Sequence, residues 1–287
     1  MRSLLFVPAD SERKFEKALG SGADAIILDL EDSVAHANKA KARDTACILL
    51  RGAKARGSYP RLYVRVNALD TGLTDADLDA VMREGPHGIF VPKTANGTDV
   101  QHIAAKLAVR EAENGLSDGA TAIVAIATET AHSIFGLGTY RGSSHRLEAI
   151  TWGAEDLSAD IGAETPRHAD GTYTQPFAIV RTLALMAAHA ADAIAIDTIY
   201  PNFRDETALR ADCEMARRDG FTAKMAIHPD QVPVINAIFT PPAHEIERAR
   251  TIVDLFAANP EAGVIGLDGE MLDRPHLKRA ERLLKRL

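Results

Sequence analysis

The stretch Ala122-Ile123-Val124-Ala125-Ile126-Ala127-Thr128-Glu129-Thr130 decides how the rest of the chain is read. It is a short apolar run, rich in strand-forming residues, that closes on a carboxylate. The stretch Glu148-Ala149-Ile150-Thr151-Trp152-Gly153-Ala154-Glu155-Asp156 closes on another, with one helix between the two. Two carboxylates at neighbouring strand ends can share one hard cation. The pattern therefore suggests a metal-assisted enzyme.

The same alternation runs outward in both directions. Strands are expected over residues 3–7, 25–30, 62–66, 89–91, 122–127, 149–152, 193–196 and 223–227. Helical patterns separate them, over 11–19 with Ser11 as N-cap, 39–55, 75–83, 99–113 and 176–189. A polar Gly/Pro/Asp segment at 162–174 precedes the last of these. Eight strand–helix alternations favour a closed parallel (β/α)8 TIM barrel over an open doubly wound sheet. No G-x-G-x-x-G follows any strand, so a dinucleotide fold loses its main support. The barrel is expected to span 1–257. Residues 258–287 form a C-terminal extension with an apolar piece at 263–267, an Asp268-Gly269 turn and a helix opened by Pro275, read as a lid or inter-subunit arm.

Bulk properties remove several functions. The 287 residues carry 33 basic and 40 acidic side chains, a net charge of -7, with no long basic block. Nucleic acid is thus not the expected partner. Cys47 and Cys213 have no metal-ligand spacing, which fits a reducing compartment. The apolar run at 4–7 is too short for a signal segment, and no run is long enough for a membrane span. A cytoplasmic enzyme is the expectation.

A barrel collects its chemistry at the C-terminal strand ends. Asp29, Glu31 and Asp32 follow strand two; Arg65 and Asn67 close strand three; Lys93 follows strand four. Glu129 follows strand five, Glu155 and Asp156 strand six, Asp197 strand seven and His228 strand eight. Glu129 and Asp156 suit Mg2+, which prefers oxygen ligands and uses one or two carboxylates. They equally suit helix capping or pairing with Arg and Lys. Without a His/Cys cluster, structural zinc is disfavoured. Arg65, inside a strand, either clamps a substrate carboxylate or developing enolate, or pairs with Glu31 or Asp32. Glu31 and Asp32 are candidate partners for metal waters and for Arg65, while Asp32 alone could cap a helix. Lys93 meets an anion or balances the rim acids. Asp197 and His228 read as structural. Ser3, Ser33 and Ser158 lack the Gly-x-Ser-x-Gly context, so a serine hydrolase has little support. Asp268 reads as a plain Asp-Gly turn, or as a carboxylate that a mobile lid brings over an open rim.

Along nearly its whole length the chain resembles the citrate lyase β-subunit-like family of the aldolase/citrate lyase superfamily. The resemblance lies in Arg2-Ser3-Leu4-Leu5-Phe6-Val7-Pro8, Leu28-Asp29-Leu30-Glu31-Asp32-Ser33-Val34, Val64-Arg65-Val66-Asn67 and Val91-Pro92-Lys93. It continues through Thr128-Glu129-Thr130, Gly153-Ala154-Glu155-Asp156-Leu157, Ala226-Ile227-His228-Pro229 and Leu267-Asp268-Gly269-Glu270-Met271. It implies a TIM barrel, a homotrimer or hexamer, Mg2+ held by Glu129 and Asp156, and substrate touched by Arg65 and Glu129. It implies a CoA-ester lyase that makes or breaks a C–C bond between an acyl thioester and a 2-oxo acid, with CoA as part of the substrate. Asp268 matches an Asp that, in enzymes resembling malyl-CoA lyase, reaches a neighbouring subunit's site as a catalytic group. Thioesterase, malate-synthase-like, class II pyruvate aldolase and non-catalytic, acyl-carrier-dependent roles are the alternatives. Two positions depart from the family pattern: Glu270 replaces a common Lys, and Ala223 replaces the Gly before Lys224.

Overall fold

The structure, a computed structural model, describes residues 1–57 and 59–286. Eight parallel strands close into a barrel: β1 (Ser3–Pro8), β2 (Ala25–Asp29), β3 (Arg61–Arg65), β4 (Gly88–Val91), β5 (Ala122–Ile126), β6 (Leu147–Thr151), β7 (Ile194–Asp197) and β8 (Ala223–Ala226). Closure is made by β1 pairing with β8, Leu4 opposite Met225. The eight expected strands all form, with ends shifted by a residue or two. The expected sixth strand at 149–152 begins earlier, at Leu147, and stops before Trp152.

Parallel strands wrapped by helices are buried on both faces, which is why they read as continuous apolar runs. The two-residue period of each strand then sorts the side chains. Leu4, Ala25, Ile27, Tyr63, Phe90, Val124, Ile126, Ala149, Ile196, Ala223 and Met225 belong to one buried cluster within the barrel. Small residues face large ones there, and the Tyr63 and Phe90 rings meet edge-on at 5.5 Å. Gly88 leaves room for this packing, since a Cβ on it would lie 2.7 Å from the Tyr63 ring. Burying a side chain such as Leu4 or Ile27 stabilises the fold by about 1.5–3 kcal/mol. The strand pairing holds the strand ends in register.

The helices are α1 (Glu12–Leu19), α2 (Lys39–Lys54), α3 (Thr74–Val81), α4 (Gly97–Glu113), α5 (Ala131–Ile134), α6 (Ala154–Ile161), α7 (Gln175–Ala190), α8 (Glu206–Asp219), α9 (Val232–Phe239), α10 (Ala243–Ala258) and α11 (Arg274–Leu284). The connection from β5 to β6 carries only the four-residue α5 and a 3-10 turn. Among the described residues, no helix is long and apolar enough to cross a membrane.

The chain divides into two compact units, Met1–Ala237 and Ile238–Leu287. The boundary expected after residue 257 falls inside the second unit. The reason is packing: Ala249, Ile252 and Phe256 of α10 share a core with Leu272 and Ala280. That core also covers the antiparallel hairpin β9 (Val264–Leu267) and β10 (Glu270–Asp273). Of the expected extension, residue 287 lies outside the described residues.

Candidate active site

The strand ends of the barrel open on a cavity of about 780 Å3 whose wall includes Phe6, Arg65, Ile126, Glu129, Asp156 and Met225. In strand phase, Asp29 follows the inward Ala25 and Ile27, and Arg65 follows the inward Tyr63. The two stand side by side in the β2–β3 register. Arg65 donates through Nε to Asp29 Oδ1 and through Nη2 to Asp29 Oδ2, both at 2.7 Å. Its Nη1 lies 2.9 Å from Glu31 Oε2, and its guanidinium sits 4.9 Å from the centre of the Phe6 ring. Such a two-pronged, charge-assisted pair fixes the plane of the fork. Burial pushes the Asp29 carboxyl up, but Arg65, the Ser33 side chain and the Glu31 amide outweigh it and hold it below the usual carboxylate range. Arg65 is thus a permanent cation with a fixed orientation.

The ion-pair reading of Arg65 is therefore realised, with Glu31 and above all with Asp29. Asp32 is not its partner. That side chain is 58% exposed and meets the cluster at 3.7 Å from Lys93 Nζ. Glu31 is buried between Arg65 and Lys93, whose Nζ lies 2.6 Å from Glu31 Oε1.

Glu129 lies just beyond β5 and is 3% exposed. Its Oε2 accepts a hydrogen bond from the Lys93 amide at 2.5 Å. Burial first, then the nearby Asp156 and Glu31, push its carboxyl from 4.5 up to about 8. Gly153 makes the position possible, because a Cβ there would come within 2.8 Å of Glu129 Cγ. Asp156 sits in the first turn of α6, where the helix N-terminus favours negative charge. Its side chain is 35% exposed, and its Oδ1 lies 3.5 Å from Lys93 Nζ. Glu155, beside it, is exposed.

Lys93 carries a φ of +52°, the left-handed region, at a conformational cost of about 1–2 kcal/mol for a residue with a Cβ. Burial favours its neutral form, but Glu31, Glu129 and Asp156 outweigh this and keep it protonated.

The remaining strand-end residues make mainly structural contacts, and His228 also lines the cavity. Asn67 donates to Asp77 at 2.6 Å and to the Leu30 carbonyl. His228 caps the turn that follows it and stacks on Phe203 at 4.5 Å. Asp197 accepts from Trp152 Nε1 at 2.8 Å and pairs with Lys224 at 2.6 Å. Asp268 belongs to the second unit. It occupies the left-handed first position of the β9–β10 turn, is 77% exposed, and lies 3.6 Å from Arg248. Glu270 pairs with the same Arg248 at 2.5 Å.

The sequence reading missed the contribution of α1. Arg13, Lys14 and Lys17 are exposed and line the cavity. Their spacing puts Arg13 and Lys17, or Lys14 and Lys17, on one helical face. That signal was present in the sequence.

The donor set can be judged chemically. Glu129 and Asp156 supply only oxygen. Among the described residues, no group of three or more His, Cys, Asp or Glu side chains is placed to hold a metal. Two carboxylates with open space beside them fit a hard divalent cation that keeps water or substrate oxygen as its other ligands.

Residues 2–229 match the HpcH/HpaI aldolase/citrate lyase family. The chain belongs to this family. Within it, the chain is 33% identical to a (3S)-malyl-CoA thioesterase of Cereibacter sphaeroides (strain KD131 / KCTC 12085), over 99% of this chain and 93% of that protein. It is 32% identical to the citrate lyase subunit beta of Leuconostoc mesenteroides subsp. cremoris, over 99% of this chain and 92% of that subunit. The fold is shared with the protein CitE from Mycobacterium tuberculosis, solved in complex with magnesium, acetoacetate and coenzyme A. That match has a TM-score of 0.77 at 30% identity and covers 99% of this chain and 97% of the other. The family's barrel is thus retained along with its citrate lyase β-like sequence.

Proposed function

We propose that the protein is a Mg2+-dependent CoA-ester lyase, cleaving or forming the C–C bond between an acyl thioester and a 2-oxo acid. One observation carries the reading. Glu129 is buried beside Asp156 and Glu31 at a cavity mouth, with its carboxyl raised to about 8. Acids crowded in this way favour a divalent cation as their common partner. Glu129 and Asp156 would hold it, and when bound it polarises the carbonyl of the 2-oxo acid as a Lewis acid. The magnesium in the M. tuberculosis CitE complex supports this assignment.

The chain's own residues supply the rest. Asp29 takes Nε and one N–H of Nη2, and Glu31 faces Nη1, which leaves one N–H on each of the two Nη atoms of Arg65 for substrate. They stabilise the thioester oxygen as negative charge develops on it. In the cleavage direction, the substrate hydroxyl gives up its proton as its carbon becomes the carbonyl of the 2-oxo acid, the electron pair of the C–C bond passes to the acyl thioester as an enolate, and the α-carbon then takes up a proton. Asp268 delivers that proton, and removes it in the direction of synthesis. It acts on the site of a neighbouring subunit in a homotrimer or hexamer, and its exposure on a hairpin tip suits that task. Arg13, Lys14 and Lys17 suit the phosphates of CoA.

Thioester hydrolysis is the second reading, favoured by the likeness to the C. sphaeroides thioesterase. One panel separates the two. Citryl, malyl, methylmalyl and citramalyl thioesters are given to the purified chain, and to Asp268→Asn, with and without Mg2+. Free CoA and 2-oxo acid are both followed. Mg2+-dependent release of 2-oxo acid is expected. Free CoA without 2-oxo acid moves the assignment to a thioesterase. No turnover on any thioester moves it to a complex-dependent subunit. Full activity of Asp268→Asn removes the proton-transfer role.

A further inference from the structure

We propose that Lys93 sets the cation affinity of the Glu129–Asp156 site, holding it down by fixing an ammonium against the same Asp156 carboxylate. The inference rests on the metal reading above and goes beyond it in naming an affinity-setting residue.

The starting observation is a residue in the wrong conformation for its type. Among the described residues, three non-glycine positions have a positive φ: Lys93, Asp192 and Asp268. Short Asp side chains tolerate that region, whereas a lysine gains nothing local from it. Glycine at 93 would give the same turn without strain. It would also keep the amide that donates to Glu129 Oε2 at 2.5 Å. What glycine lacks is the ammonium. The strain at this position is therefore retained for the charge.

That charge is pinned rather than mobile. Lys93 Nζ lies 2.6 Å from Glu31 Oε1, and Glu31 is itself buried and held by Arg65 at 2.9 Å. The turn beneath is tied down as well. Thr94 donates its amide and its hydroxyl to the Ile126 carbonyl, at 3.3 and 3.0 Å. The buried Tyr140 hydroxyl donates to the Thr94 carbonyl at 3.1 Å. A strained residue persists where its surroundings over-determine it in this way. The result is one fixed positive charge 3.5 Å from Asp156 Oδ1. It draws on the negative charge that a divalent cation would use, and it repels that cation directly. The main chain of Lys93 thus orients one ligand while its side chain weakens the site as a whole. The arrangement suits a cation that exchanges with the medium rather than one held permanently.

The test reads cation binding instead of turnover. The full chain is titrated calorimetrically with Mn2+ as the probe, for wild type, Lys93→Met, Lys93→Gly and Lys93→Arg, with Glu129→Gln as control. Both neutral variants should bind Mn2+ about tenfold more tightly, the scale of removing one charge near a divalent ion at a half-exposed site. Lys93→Arg should stay within about twofold of wild type by the same electrostatic argument. Lys93→Gly relieves the backbone, so a thermal melt should find it folded even where Lys93→Met is not. Neutral variants that bind Mn2+ equally or more weakly overturn the proposal. A wild type that binds no Mn2+, or a Glu129→Gln variant that binds it as wild type does, overturns the metal reading itself and this inference with it.

Discussion

Two ionic clusters grow from the same barrel and differ in how their charges balance. The first opens on the cavity at the strand ends. Four carboxylates, Asp29, Glu31, Glu129 and Asp156, face two cations, Arg65 and Lys93. The second is sealed between β7, β8 and the helices α7 and α8. There Lys224 is fully buried, 2.6 Å from Asp197 and 2.7 Å from Asp212. Arg167 pairs with Asp212 at 2.8 Å, and Arg181 reaches Asp219 at 2.6 Å. Three acids meet three bases. Ala223 and Met225 point into the barrel core, so strand phase sends Lys224 outward to this cluster.

The difference separates structure from chemistry. Matched charges in a sealed cluster balance one another, and they fasten the segment after α6 by way of Arg167. Among the paired groups of the open cluster acid exceeds base, and burial together with that excess raises the carboxyl of Glu129. An external cation is the natural way to neutralise it.

The largest effect should come from breaking the sealed cluster. Lys224→Met leaves Asp197 and Asp212 buried without their common cation. Unfolding in urea should then show a loss of about 3–5 kcal/mol. A loss under about 1 kcal/mol would mean that the buried charges are not matched as described.

Neutralising an acid of the open cluster should act in the opposite direction. The Glu129 carboxyl is raised from 4.5 to about 8 in the fold, so the native chain holds a proton that the unfolded chain releases above pH 4.5. Wild-type stability is therefore lost as pH rises from about 4.5 to about 8, and the loss is complete above that window. Glu129→Gln removes this slope. In chelator-treated protein its melting temperature should equal that of wild type near pH 5 and exceed it by roughly a few degrees at pH 8.5. Parallel melting curves across that range would contradict the acid excess.

The smallest effect sharpens the border of the open cluster. Asp32→Asn should change stability by less than about 0.5 kcal/mol, because the side chain is exposed and its approach to Lys93, at 3.7 Å, is long for an ion pair. Asp29→Asn should cost several times more, as it releases one side of a buried fork. Equal effects in chemical denaturation would make Asp32 as strong a partner of the cluster as Asp29.

Much of this was legible in advance, and particular residues show why. Glu129, Asp156 and Arg65 stand where apolar runs end, and a barrel gathers such ends. The choice of Asp29 over Asp32 was latent in the two-residue period, since 25, 27 and 29 share one face. It was obscured because three acids fall within four residues. Nothing local marks Lys93 as left-handed; that conformation is imposed by contacts from Ile126, Tyr140 and Glu129. The start of the second unit was hidden too, because α10 has the pattern of any barrel helix and only its packing partners assign it.

By itself, the sequence determined the strand–helix alternation, the closed barrel it implies, the family and the acids at the strand ends. Those follow from local periodicity and residue type. The tertiary structure decided which charge meets which: Asp29 with Arg65, the Lys93 amide with Glu129, Lys224 with two aspartates behind the wall. Pairing of that kind depends on strand register and barrel closure, which bring together residues far apart along the chain.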